Sequence, residues 1–158
     1  MKTRILCVGK LTERHFKDGV AEYQKRMQGY GGVEIVEVKD VRAPERLSEK
    51  EEEQVKKKEG EALLQKLRDD EFLVLLDIGG KAMSSEELAR QVGHWKQEGR
   101  DLAFIIGGSL GVSEEVRRRA DVRLSFSPMT FPHQLMRVIL LEQLYRAHRI
   151  LENHPYHK

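Results

Sequence analysis

The sequence holds one cysteine, four prolines, one tryptophan and almost no net charge, and each shortage excludes something. Cys7 alone cannot close an internal disulfide, so a reducing cytoplasm is the expected compartment. With 28 Lys and Arg against 26 Asp and Glu, the formal charge is +2. That excludes a domain that coats phosphates by bulk positive charge, while leaving room for a local basic patch. No apolar run approaches the roughly 20 residues that span a bilayer, so no membrane partner is expected. The apolar start at residues 5–8 turns into Gly9-Lys10-Leu11-Thr12, too soon for the core of a signal peptide. The common nucleotide fingerprints are missing as well. Gly107-Gly108-Ser109-Leu110-Gly111 lacks the Lys-Ser/Thr of a phosphate loop, and position 4, where a dinucleotide fingerprint ending at Gly9 would start, is arginine. His154 and His157 do not form a recognised ligand set and Cys7 is far from them in sequence, so no metal is expected.

What is present is the material of one soluble domain spanning residues 1–158, with 39% apolar and 34% charged residues. Short β-rich runs alternate with segments of helical period. Residues 5–8 read as a strand in which Cys7 is a small core residue. Over 13–28, Phe16, Val20, Tyr23 and Met27 fall on one helical face. Residues 33–38, Val-Glu-Ile-Val-Glu-Val, alternate as a half-buried strand does. Residues 39–47, with Pro44, read as a loop, and 48–70 as a long helix whose Glu and Lys runs form a solvated face. The apolar runs 72–76 and 102–106 read as central strands covered on both sides. Between them lie a turn at Asp77-Ile78-Gly79-Gly80 and a helix opened by a capping box from Ser84 to Glu87. Ser113 caps a further helix with Glu114 and Glu115 in its first turn and Arg117–Arg119 near its end. A fifth strand at 122–126, a loop at 127–132 and a last helix from His133 to about Glu152 complete the chain. The order predicts an α/β fold: an open, mostly parallel sheet of five to six strands with helices on both faces.

Ligands of such sheets bind outside the carboxyl ends of the strands. Three of those ends are rich in residues that let a ligand approach the backbone: 76–80, 106–111 and 126–132. The last helix is apolar nearly all round, with a narrow polar stripe of Glu142, Arg146, Arg149 and Asn153. One small sheet does not cover such a helix, which predicts a homodimer. Arg137 falls off the stripe and is expected to be buried, either in a structural ion pair or on an anionic ligand. Four of the six histidines, His133, His148, His154 and His157, lie in the last 26 residues, interleaved with arginines and with Tyr145 and Tyr156. That mixture suits stacked bases and phosphates.

Residues 106–111, the run from Phe126 to Pro132 followed by His133, Leu144-Tyr145-Arg146-Ala147, and the ending Asn153-His154-Pro155-Tyr156-His157-Lys158 together resemble a known family. It is the small bacterial methyltransferases of the SPOUT superfamily that modify N3 of a pseudouridine in 23S rRNA, and the likeness runs the whole length of the chain. The resemblance implies a C-terminal trefoil knot, an exception to the usual unknotted topology, and an active site at a homodimer interface. It implies that S-adenosylmethionine (SAM) is held by Leu76, Gly107, Phe126, Ser127, Pro128, Met129, Thr130 and Phe131. His133, Arg137, Tyr145, Arg146, Tyr156, His157 and Lys158 would face the substrate base. The partners it implies are 23S rRNA, met on the assembled ribosome, and a second copy of the chain. In that setting Arg137 would stabilise the charge developing at N3 and a histidine would take the proton. A non-catalytic RNA-binding α/β module would explain the basic tail but leave the three strand ends without a role. A methyltransferase for another RNA such as tRNA would change only the acceptor. Because residues 154–158 lie beyond the last helix, their removal is expected to cost little stability.

Overall fold

The computed structural model describes residues 2–42 and 45–158, so Pro44 of the expected loop lies outside the described residues. Five strands form one sheet in the order β2-β1-β4-β3-β5, every named pairing parallel. The strands are β1 (Thr3–Val8), β2 (Val33–Val38), β3 (Phe72–Ala82), β4 (Leu102–Ile106) and β5 (Val122–Ser125). Helices α1 (Arg14–Met27), α2 (Glu49–Lys66), α3 (Ser85–Gln97), α4 (Glu114–Arg119) and α5 (His133–Leu151) follow them in turn. A short 3₁₀ turn, Gln28–Tyr30, ends α1.

Every residue of β1 and of β4 is buried, as runs without polar alternation require when both faces are covered. Successive side chains divide between the two faces. Ile5, Cys7, Phe72, Val74, Phe104 and Ile106 meet α1, α3 and α5 on one side. Leu6, Val8, Leu73, Leu75, Ala103 and Ile105 meet Leu63 of α2 and Val116 of α4 on the other. Burial pushes the Cys7 thiol up to about 11, so it is a packed core group and not a nucleophile.

Two elements differ from their sequence expectation. Helix α2 stops at Lys66 instead of running to residue 70, with Leu67 already extended. The cause is Glu71, fully buried, which accepts the Arg4 Nε–H at 2.8 Å and the Arg68 N–H at 2.8 Å and so draws the chain out of the helix. The other is Asp77–Gly80, expected as a turn but carried within β3. Leu76 and Lys81 both pair with Leu124, so the residues between them bulge out of the ladder and β3 then resumes beside β5. Gly80 permits this, because a Cβ there would sit 2.6 Å from the Arg123 carbonyl carbon and 2.8 Å from the Leu124 nitrogen. Both neighbours are backbone and cannot swing away. Gly80→Ala is therefore expected to destabilise by about 1–3 kcal/mol, seen as a melting temperature lower by roughly 2–10 °C.

Helix caps behave as their chemistry dictates. Ser48, Ser84 and Ser113 each accept the backbone N–H three residues on. The reciprocal carboxylate bond that completes a capping box forms at Ser48 with Glu51, whereas Ser84 and Glu87 make only the serine half.

Candidate functional site

The carboxyl ends of β3, β4 and β5 converge on a cavity of about 370 Å³, within the size range of small-molecule sites. Seven of the eight cofactor residues expected from sequence line it: Leu76, Gly107, Phe126, Ser127, Met129, Thr130 and Phe131. Pro128 does not. His133, first residue of α5, lines it too, with Ile106, Leu124 and Met136 as further apolar wall. Ile78, Met129 and Phe131 stand exposed at its mouth, Met129 by 72%. The loop after β4 closes on itself through Gly111 N–H to Gly108 C=O, 3.0 Å, with Gly111 at φ +96°. The loop after β5 is pinned by Met129 N–H to Ser127 Oγ, 2.9 Å. Backbone polar groups on glycine edges, set between apolar walls, suit a flat heteroaromatic ligand with a hydrogen-bonding rim.

Two charged residues at this cavity, Asp77 and Arg117, were not singled out from the sequence. By sequence Asp77 belongs to a turn, and Arg117 is one of three arginines matched to a helix dipole. Asp77 directly follows a buried apolar run at a strand's carboxyl end, and that position was the available signal.

Behind the glycine loop lies Glu59, only 4% exposed, on the helix read as a solvated face. Its Oε2 accepts the Val41 N–H at 3.2 Å, and a Cβ on Gly108 would meet its Oε1 at 2.8 Å. Burial pushes this carboxyl up to about 7, the Val41 N–H pulling it down and Asp40 adding to the rise. The folded chain thus holds a proton on Glu59 that the unfolded chain releases near its ordinary 4.5. By linkage, this group's contribution to stability is full below about pH 4.5, falls as pH rises toward about 7, and is flat above. Glu59→Gln keeps the acceptor and removes the ionisation. Its melting temperature relative to wild type is expected to rise between pH 5 and pH 8 and then level, which thermal scans across that range would show.

The residues expected to face the substrate do not all gather at the cavity. Arg137 is fully buried and paired within the chain. It donates to Glu37 Oε2 at 2.6 Å, Val8 O at 3.1 Å and Gly9 O at 2.7 Å, which locks the end of β1 to α5. Its Nε is buried without a partner. Tyr145, Arg146, Tyr156 and His157 form a second cluster along α5. The Tyr145 and Tyr156 rings meet edge to face at 4.9 Å, and the Arg146 guanidinium lies 4.7 Å over the Tyr156 ring. Tyr156 OH donates to Glu142 at 3.1 Å, and His157 bridges Arg146 Nη1 at 3.0 Å and Glu86 at 2.5 Å. Burial, with bonds from Tyr23 and Glu142, raises the Tyr156 phenol to about 12, so it stays neutral. Lys158 is exposed. The tail is therefore tied down, with Pro155 O also accepting from Arg149 at 2.9 Å. The expectation that its loss is nearly free is corrected by these contacts. His148 is likewise not available to RNA: it is buried against Leu144 O and Lys96, and burial pushes its pKa down.

His133 and Tyr145 lie twelve residues apart on α5, roughly 18 Å at 1.5 Å per residue. One base cannot touch both within a single chain. Helix α5 itself is covered inside the chain, its Met136, Leu140, Leu141, Leu144 and Ala147 buried in the core shared with α1 and α3. Of the four exposed large apolar residues among the described residues, Ile78, Met129 and Phe131 stand at the cavity mouth and Leu151 ends α5.

Residues 1–157 match the family described as Predicted SPOUT methyltransferase. Proteins named Ribosomal RNA large subunit methyltransferase H are similar over the whole of both chains. The one from Alkaliphilus oremlandii is 52% identical, that from Carboxydothermus hydrogenoformans 52%, and that from Lactobacillus delbrueckii subsp. bulgaricus 51%. Among solved structures, a methyltransferase of Legionella pneumophila in complex with its bound cofactor SAM superposes with a TM-score of 0.50 at 15% identity. That likeness covers 94% of this chain and 66% of the other, and it concerns the fold. No described helix is long and apolar enough to cross a membrane.

Proposed function

The chain belongs to the SPOUT methyltransferase family, and on that footing we propose that it transfers the methyl group of SAM to N3 of a pseudouridine in 23S rRNA, on the assembled ribosome in the cytoplasm. The observation that carries this reading is the single cavity in which the ends of β3, β4 and β5 bring together Leu76, Gly107 and five residues of 126–131. Its donor set fits SAM: glycine-edge amides and carbonyls for the adenine rim, Leu76, Met129 and Phe131 for its faces.

When bound, the cofactor supplies an already electrophilic methyl on sulfonium, so the protein's work is alignment and one proton. His133 is the titratable group at the cavity on the α5 side, and it is placed to take the N3 proton. Arg137 acts one step behind. By holding the Gly9 carbonyl it fixes the bend against which His133 packs, the His133 Nε2 lying 3.9 Å from where a Gly9 Cβ would be. The tail cluster belongs to the acceptor side. Since it stands roughly 18 Å from His133 along α5, two copies pair so that the tail of one faces the cavity of the other, covering Ile78, Met129 and Phe131. The trefoil knot is proposed for the segment from β4 to α5 on the family's account.

Isothermal titration tests the cofactor half. Stoichiometric binding of SAM at micromolar affinity supports the enzyme, whereas no binding to folded chain leaves an RNA-binding module. Sedimentation tests the pairing, and a monomer at micromolar concentration contradicts it.

A further inference from the structure

The lip of the cavity carries a charge arrangement that the fold does not require. Asp77 Oδ2 accepts from Arg117 Nε at 3.3 Å and from Arg123 Nη1 at 3.4 Å, and its Oδ1 accepts the Gly79 N–H at 3.1 Å. Arg117, Arg118 and Arg123 set against Asp77 and Glu114 leave this lip with one surplus positive charge. Arg123 is half exposed and does not line the cavity; Arg117 does. Arg117 spends only its Nε on Asp77. Its Nη1 lies 3.9 Å from Glu114, beyond hydrogen-bonding range, so neither Nη group has a hydrogen-bond partner among the described residues. Half-exposed ion pairs of this kind add little to stability. A guanidinium fork held from behind and open in front is instead the geometry that receives a carboxylate through two parallel bonds.

Resting on the cofactor reading above, we propose that Arg117, positioned by Asp77, receives the carboxylate of the methionine moiety of SAM. The pair is then the part of the site that tells SAM from sulfonium nucleosides without that carboxylate. The rest of the cavity supports the assignment by its composition. Leu76, Phe126 and Met136 offer nothing to a carboxylate, and among the described residues the only ionisable side chains lining it apart from His133 are Asp77 and Arg117. Arg123 has a distinct part: it offsets the Asp77 charge so that Arg117 keeps a net positive field toward the ligand.

The test is calorimetric binding of two ligands, SAM and decarboxylated SAM, to wild type and to Arg117→Gln at one ionic strength. The two ligands share the adenosine and the sulfonium and differ in the carboxylate. SAM is expected to bind the variant at least about tenfold more weakly, and decarboxylated SAM to bind both proteins within about twofold. Asp77→Asn, which loosens the fork without removing it, is expected to weaken SAM alone and by less. Equal losses for both ligands, or unchanged SAM affinity in Arg117→Gln, would overturn the assignment while leaving the cofactor reading intact. Wild-type protein that binds neither ligand would overturn both.

Discussion

Replacing Gly107 with valine lowers the affinity for SAM at least tenfold, about 1.4 kcal/mol. The reason is local and steric. A Cβ at position 107 would sit 2.6 Å from Val112 Cγ1 and 3.2 Å from the Gly111 carbonyl oxygen. Val112 is buried among Leu6, Val8 and Val116 and cannot turn out of the way, and a β-branched side chain adds two more atoms to the collision. The chain relieves it by moving the 107–112 loop, which is the cavity's β4 wall. The sheet does not depend on that loop, so the protein folds, with a melting temperature lower by several degrees. Gly107→Ala makes the Cβ contacts without the two added γ carbons and is milder, and Val112→Ala in that background should restore part of the affinity. Unchanged SAM binding in folded Gly107→Val would remove the glycine loop from the site.

Deleting residues 154–158 has the larger effect on turnover. rRNA methylation is expected to fall by at least about a hundredfold while SAM affinity stays within twofold of wild type, because none of these residues lines the cavity proposed for SAM. The melting temperature drops by a few degrees, since the deletion takes away the Tyr156 ring from Tyr145 and the His157 bond to Glu86. Position distinguishes how the tail acts. If it serves the cavity of a second copy, truncated chains mixed with full-length Gly107→Val chains form heterodimers with one intact tail over one intact cavity. Assayed at SAM well below the variant's Kd, a statistical mixture then recovers about a quarter of wild-type activity from two proteins that each have little. No recovery, with heterodimers shown to form, would place the tail's action within its own chain. Leu141→Glu is unsuited to this question: Leu141 is fully buried in the chain's own core, so the variant reports on folding whatever the oligomer.

The residues that were easy to read owe it to a single dominant force. Val33–Val38 is a strand over those six residues, its Val33 and Ile35 packed on one core cluster and its Val36 and Val38 on the other. Leu102–Ile106 is unbroken apolar sequence because both its sides face the core, and every residue of it is buried. The cavity at the strand ends was legible because strand ends with glycine and proline have few other uses in such a sheet. What escaped depends on contacts distant in sequence. Asp77–Gly80 carries turn chemistry, yet Gly80 is there to let the Arg123 backbone pass. Glu59 sits in a charged helix and gives no local sign that the loop at Gly108 will bury it. The tail reads as a free end because the side chains that hold it, Glu86, Glu142 and Arg149, belong to α3 and α5. For Arg137 the sequence argument reached burial and the need for a partner. Glu37, one hundred positions away, was the part only the fold could supply.

The central claim is an acceptor and an atom, and one measurement meets it directly. Ribosomes, separated large subunits, free rRNA and tRNA are each incubated with the protein and isotopically labelled SAM, and the labelled nucleoside is identified after nuclease digestion by mass spectrometry. The account predicts one methyl group per large subunit, on N3 of a pseudouridine in 23S rRNA, with assembled ribosomes the best substrate. Label on tRNA, on another position of the nucleoside, or on no RNA at all would contradict it.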